Sequence, residues 1–313
     1  MVHICEMIPG EHLEVYGVGR VVKTRHPKLG VVIAKVMSRH EAGWEMAIQG
    51  LRVPGVLAPL SVERARYTSD SHCECLFEME KYFLTEAANA PRDSYYYSGD
   101  KILPKEGHVV NAWIFYYQLM TPLSRRNVGS SGVTPEALLR DIGKALAVLH
   151  KKGYYHGDVK LPNIVVDERG RAFLIDCDRG REIGATKGRT NTYGYTPPEQ
   201  ILAKDRVYDG RAADLYGLGI CLLMLQGGFY THSICDLMSS DDDPLIFDLV
   251  GLSRVFSKAD IQAQYGQWRH ASRMEDMWMQ VPQIEVRDEW KCLLHPDPGM
   301  RRMPKGVAGW FTR

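Results

Sequence analysis

The chain has 313 residues, 45% of them hydrophobic and 25% charged, which excludes intrinsic disorder, collagen-like repeats and coiled coil. Its length predicts about two packed units at roughly 150 residues each. With 39 basic against 38 acidic residues the formal charge is +1, so neither nucleic acid nor an anionic membrane is expected as a partner.

The first third reads as β-rich. Leu13 to Gly17, Arg20 to Thr24 and Val31 to Met37 are short β-branched runs, punctuated by Gly17, Gly19 and His26-Pro27-Lys28-Leu29-Gly30. A helix is predicted over Arg39 to Leu51, stopping before Pro54. Cys73 and Cys75 are the only close pair among seven cysteines, an odd count, so no disulfide framework is expected. Beside His72 they lack a second ligand pair at zinc-finger spacing, and they read as two thiols of a reducing compartment. Residues 88 to 108, with Tyr95-Tyr96-Tyr97, show no periodicity and read as a surface insertion, a candidate docking loop. Val109 to Gln118 reads as a buried strand.

Beyond residue 120 the pattern turns helical. Thr134 caps and Pro135 opens a helix whose Leu138, Ile142, Leu146 and Leu149 recur at helical spacing, with Gly153 as a left-handed stop. Asp214 to Gln226 is apolar nearly all round, a helix buried on every side. The most apolar stretch, Leu215 to Leu225, is shorter than the ~20 residues of a membrane span. The N-terminus has no apolar signal core, so a soluble, intracellular and cytoplasmic protein is expected.

The chemistry concentrates in His156-Gly157-Asp158-Val159-Lys160-Leu161-Pro162-Asn163. A strand at Ile164 to Val166, a turn at Asp167 to Gly170 and a strand at Ala172 to Ile175 fold the chain back on itself. Asn163 and Asp176 then lie at adjacent strand ends. An amide oxygen and a carboxylate make a hard oxygen site that suits magnesium on a polyphosphate. Asp158 stands beside it to orient or deprotonate a hydroxyl, and Lys160 to neutralise a transferring phosphoryl group.

The His156 to Asn163 run resembles the catalytic loop of protein kinases, and Asp176-Cys177-Asp178 resembles their metal-binding triplet. The other motifs follow in the family's order. Gly17-Val18-Gly19 resembles the start of the glycine-rich loop, and Val32-Ile33-Ala34-Lys35 the strand with the phosphate-binding lysine. Thr192 to Glu199 resembles the end of the activation segment. Asp214 to Gly219 resembles the start of the central helix, and Asp297 to Arg301 the motif whose Arg pairs with that segment's Glu, here Glu199. The ordered set spans Gly17 to Arg301.

The resemblance implies an α+β, bilobal fold. A small β-rich N-lobe (1–118) would carry the 88–108 insertion, and a helical C-lobe (119–313) would lie across the nucleotide from it. The hinge would be at Tyr116 to Leu119, with Phe115 as gatekeeper. It implies ATP and Mg2+ as cofactors, held by Gly17, Val18, Gly19, Arg20, Val21, Val22, Lys35, Asn163 and Asp176. Glu45, with Glu41 as rival, would hold Lys35; Val21 or Val22 would roof the adenine; Asp158 and Lys160 would be catalytic. Lys160 and Thr192 match the Ser/Thr-specific branch, so a monomeric Ser/Thr kinase of protein substrates is expected, in a host cell if the source is viral. A small-molecule kinase of the aminoglycoside or choline type and a pseudokinase scaffold are the alternatives.

Three departures from the pattern stand out. The glycine loop lacks a third Gly; Gly157 stands where an Arg usually precedes the catalytic Asp; and Cys177 and Asp178 replace Phe and Gly, which alters the triplet's flip. Without that Arg, activity is expected not to depend on phosphorylation of the activation loop, with Thr190 as the position to test. His156, Asp214 and the Arg301–Glu199 pair read as structural, and Asp241-Asp242-Asp243 as a solvated loop.

Overall fold

The computed structural model describes residues 8–16, 20–37, 39–68, 95–98, 101–104, 109–124, 131–184, 192, 194–197, 199–200, 208–226, 255–257, 259–260, 263 and 287–305. Gly17 to Gly19, the Cys73/Cys75 pair, Thr190, the Asp241 to Asp243 run and much of the 88–108 insertion lie outside the described residues. The chain divides into two compact units, one of residues 1–49 with 57–119, the other of residues 50–56 with 120–313.

The first unit is built on an antiparallel sheet of β1 (Glu11–Tyr16), β2 (Val21–His26), β3 (Gly30–Met37), β4 (Ser61–Thr68) and β7 (Val109–Gln118), in the order β1-β2-β3-β7-β4. The β2–β3 turn is pinned by the His26 ring, whose Nδ1 accepts from the backbone N–H groups of Lys28 and Leu29. The polar edge strand β4 was not foreseen, because Ser61 to Thr68 carries three charges and little apolar alternation. The helix α1 (Arg39–Gly50) matches its expected span to within a residue. Part of the expected irregular insertion is regular: β5 (Tyr95–Ser98) pairs antiparallel with β6 (Lys101–Pro104). The Gly99-Asp100 pair between the two runs is the hairpin signal that would have found it.

The β2–β3 register decides which side chains accompany Lys35. Directly opposed residues share a face and neighbours alternate. Val21 lies opposite Lys35, and Val22 opposite Ala34. Lys35 in turn lies opposite Phe115 on β7, and Ile33 opposite Tyr117. Met37, Phe115 and Tyr117 pack with Ala42 of α1 and with Ile33 into one cluster. The Lys35 face is therefore the one that α1 covers. Val22, expected among the nucleotide contacts, is fully buried on the other face, and of the two roof candidates Val21 shares the lysine's face.

The second unit begins with the crossing segment 50–56. Gly55 O accepts from Leu174 N at 2.8 Å, and Val56 bridges to Leu174. The strand β8 (Thr121–Pro122) leads to α2 (Pro135–Lys151), whose Thr134 hydroxyl accepts from Ala137 N. Buried Leu138, Ile142, Leu146 and Leu149 form its inner stripe. Gly153 then turns with φ +87° into β9 (Tyr154–Tyr155). The hairpin of β10 (Ile164–Val166) and β11 (Ala172–Leu174) joins β8 in a three-stranded sheet, and β12 (Arg181–Glu182) pairs with β9. The helix α3 (Gly210–Leu225) is buried at every position from Gly210 to Met224 except Arg211, and α4 (Asp288–Leu294) lays Leu293 and Leu294 against its Gly219. Among the described residues no helix is long and apolar enough to cross a membrane.

Candidate active site

Two elements deliver the His156 to Asn163 loop: α2 through β9 on one side, and a 3₁₀ turn at Leu161–Asn163 into β10 on the other. Its backbone is held by Asp214 of α3, which is 1% exposed. The carboxylate accepts from His156 N at 2.7 Å and from Gly157 N at 2.8 Å. The His150 ring of α2 donates to the same carboxylate at 2.8 Å, a contact between residues 64 apart that no local pattern announces. Close approach makes this possible: a Cβ at Gly217 of α3 would meet the Val159 carbonyl at 2.5 Å. His156 is fully buried, and both ring nitrogens engage backbone, Nδ1 accepting from Asp158 N and Nε2 donating to Ile175 O. It is a packed structural residue, as expected.

Asp158 has both carboxylate oxygens in use. Oδ2 accepts from Lys160 Nζ at 2.7 Å and from Asn163 Nδ2 at 3.1 Å. Oδ1 accepts from the Thr192 hydroxyl at 2.8 Å, and that hydroxyl accepts from Lys160 Nζ at 2.9 Å. A closed triangle of carboxylate, ammonium and hydroxyl results. Asn163 Nδ2 also donates to the Asp158 carbonyl, which fixes the loop from within. Beside the triangle lies a small recess lined by Tyr195, Thr196, Pro197 and Gln200.

Asn163 and Asp176 come together through the hairpin. Ile164 pairs with Leu174, and Ile175 N donates to Asn163 O, so Asp176 follows directly on the residue bonded to Asn163. Asp176 has φ 67° and ψ 60°, left-handed and uncommon for a non-glycine residue, a kind of strain that gathers at functional positions. Cys177 opens a 3₁₀ turn and is fully buried. No cluster of three or more His, Cys, Asp or Glu able to hold a metal occurs among the described residues. One carboxylate and one amide oxygen fit magnesium carried mainly by phosphate oxygens, because that ion is bound through few protein ligands.

In the first unit, Glu45 is fully buried, accepting from Tyr117 OH at 3.0 Å and from Gln49 at 2.9 Å. Glu41 is gripped by the Arg20 guanidinium at 2.6 and 2.7 Å. The Arg20 side chain, expected near phosphates, is thus engaged by α1. In the second unit Arg301 makes a two-pronged pair with Glu199, a bond to His295 O, and lies over the Tyr216 ring.

The protein kinase domain family matches residues 113–301, which take in Asp158, Lys160, Asn163, Asp176 and Arg301 and begin beyond Lys35. Serine/threonine-protein kinase Kist of Mus musculus is 31% identical over 180 residues, 54% of this chain and 38% of that protein. CBL-interacting protein kinase 22 of Oryza sativa subsp. japonica is 34% identical over 112 residues, 33% of this chain and 24% of that one. Serine/threonine-protein kinase F of Synechocystis sp. is 36% identical over 98 residues, 29% and 19% of the two chains. The chain thus spans well under half the length of these relatives. The family match covers more than half of the chain itself and contains the Asp158 triangle, and on that ground the chain belongs to the protein kinase family.

Proposed function

We propose that the chain transfers the γ-phosphoryl group of ATP to Ser or Thr hydroxyls of protein substrates. The observation that carries this reading is the Asp158–Lys160–Thr192 triangle. A carboxylate aimed at the acceptor position takes the hydroxyl proton as the new O–P bond forms and the bond to ADP breaks. Lys160 sits where charge gathers on the transferring group. Asn163 and Asp176 would hold Mg2+, which neutralises phosphate charge when bound. Lys35 is read as the cation for the α- and β-phosphates. Its partner is read as Glu45, because Tyr117, which bonds Glu45, lies opposite Ile33 on the lysine's face. Gly17, Val18 and Gly19 are read as the phosphate-covering loop, and Val21 as the adenine roof. The reading includes lobes at 1–118 and 119–313, a monomer, and work inside a cell.

The test is transfer of labelled γ-phosphate from Mg-ATP, with wild type beside Asp158→Ala. The protein itself, a generic basic protein and a pool of small alcohols are offered as acceptors. Label on Ser or Thr that disappears in Asp158→Ala is the expected result. Label on a small alcohol alone replaces the protein substrate by a small molecule, and no transfer from folded protein turns the chain into a scaffold.

A further inference from the structure

A side chain at position 157 is strongly disfavoured here. Gly157 has φ +81°, and a Cβ on it would lie 2.6 Å from the Arg179 carbonyl. The chain therefore has no basic side chain just before Asp158. What it has instead is Arg179 itself. Arg179 ends the 3₁₀ turn that follows Asp176, and its Nε lies 3.9 Å from Asp158 Oδ2, the oxygen that also receives Lys160 and Asn163. The Asp158 side chain is 5% exposed and that of Arg179 33%, so little water screens the pair. The turn is tied down at its far end, where the Arg181 guanidinium donates to the carbonyls of Asp178 and Gly180.

We propose that Arg179 is a positioning residue for phosphoryl transfer. It is a cation delivered by the turn after the metal-binding carboxylate, and it holds Asp158 in its acceptor orientation. One short turn then links the two carboxylates of the reaction, because Asp176 begins it and Arg179 ends it against Asp158. The proposal rests on the phosphotransferase reading above. It explains why a loop spelled His-Gly-Asp retains a fixed carboxylate: Lys160 pulls Oδ2 from one side and Arg179 from another, while Thr192 occupies Oδ1. An ion pair at 3.9 Å without a hydrogen bond is weaker than the Lys160 contact, so its removal is worth about a tenfold loss of rate rather than abolition.

Steady-state transfer from Mg-ATP to a basic protein tests it, using wild type, Arg179→Gln, Arg179→Lys and, as a control, Arg171→Gln in the exposed Asp167 turn. Arg179→Gln should lower kcat about tenfold with KM for ATP unchanged. Arg179→Lys should recover most of that loss, and Arg171→Gln should match wild type, with all melting temperatures alike. Wild-type kcat in Arg179→Gln overturns the proposal and leaves the kinase reading intact. So does a loss that Lys fails to recover in a variant that melts early, since that is the mark of a folding role. Wild type without transfer removes the kinase reading itself, and the role of Arg179 with it.

Discussion

Single atoms decide the chemistry at the Asp158 triangle. Thr192→Val removes the hydroxyl that accepts from Lys160 and donates to Asp158. Steady-state kinetics should show kcat lowered by about tenfold or more, because a buried carboxylate and a partly buried ammonium lose a shared partner. Gly157→Ala tests the backbone. Its left-handed φ and the Arg179 carbonyl 2.6 Å from the new Cβ should cost about 2 kcal/mol in a denaturant melt. With no Arg at 157 to receive a phosphate, Thr190→Ala should transfer phosphate at the wild-type rate, and phosphopeptide mapping alongside kinetics checks it. Asp158, Lys160, Asn163 and Asp176 were legible in the sequence because they sit within one loop and one hairpin, where spacing alone brings them close. The Arg20–Glu41 and His150–Asp214 contacts were not, since 21 and 64 residues separate the partners. Which of Val21 and Val22 shares the Lys35 face needed the register, because a slip of one residue exchanges the two faces.

At the scale of elements, end chemistry carries more weight than propensity. Thr134 and Pro135 marked the start of α2 correctly, since a cap and a missing N–H are local facts. The start of α3 was placed at Asp214, four residues past its true first residue, because the first turn, Gly210-Arg211-Ala212-Ala213, is weakly apolar. Its real cap is Asp209, which accepts from Arg211 N and pairs with the Arg211 guanidinium. Burial pushes the Asp209 carboxyl up, but the Arg211 bonds outweigh it and hold the group below the ordinary carboxylate range. A depressed folded value means the stabilisation is present above the unfolded value of about 3.9 and is lost as pH falls through the folded value. Asp209→Ala should therefore cost about 1 kcal/mol at pH 7, and the gap from wild type should shrink in melts taken at successively lower pH below 4.

For the whole molecule, the two units interleave in sequence, since residues 50–56 group with the second while their neighbours on both sides group with the first. That arrangement was invisible beforehand, because the boundary read near residue 120 rested on the switch from strands to helices. Two compact units can unfold in separate steps. Mg-ATP at 100 times its dissociation constant should stabilise the binding-competent fold by about 2.7 kcal/mol in scanning calorimetry, and Asp176→Ala should remove the magnesium-dependent part of that shift.

The burial of α3 on nearly all sides has a consequence for how the protein is made. A helix without a polar face has no stable existence until its cover arrives. Its partner α4 is synthesised about sixty residues after Leu225, which at 5–20 residues per second is a delay of roughly 3–12 s. During that interval the surface of α3 at Gly219, which Leu293 and Leu294 meet in the folded chain, lacks that cover. A ribosome stalled where α3 but not α4 has cleared the exit tunnel should recruit a hydrophobic-binding chaperone, and one stalled far enough past residue 305 for α4 to clear the tunnel should release it.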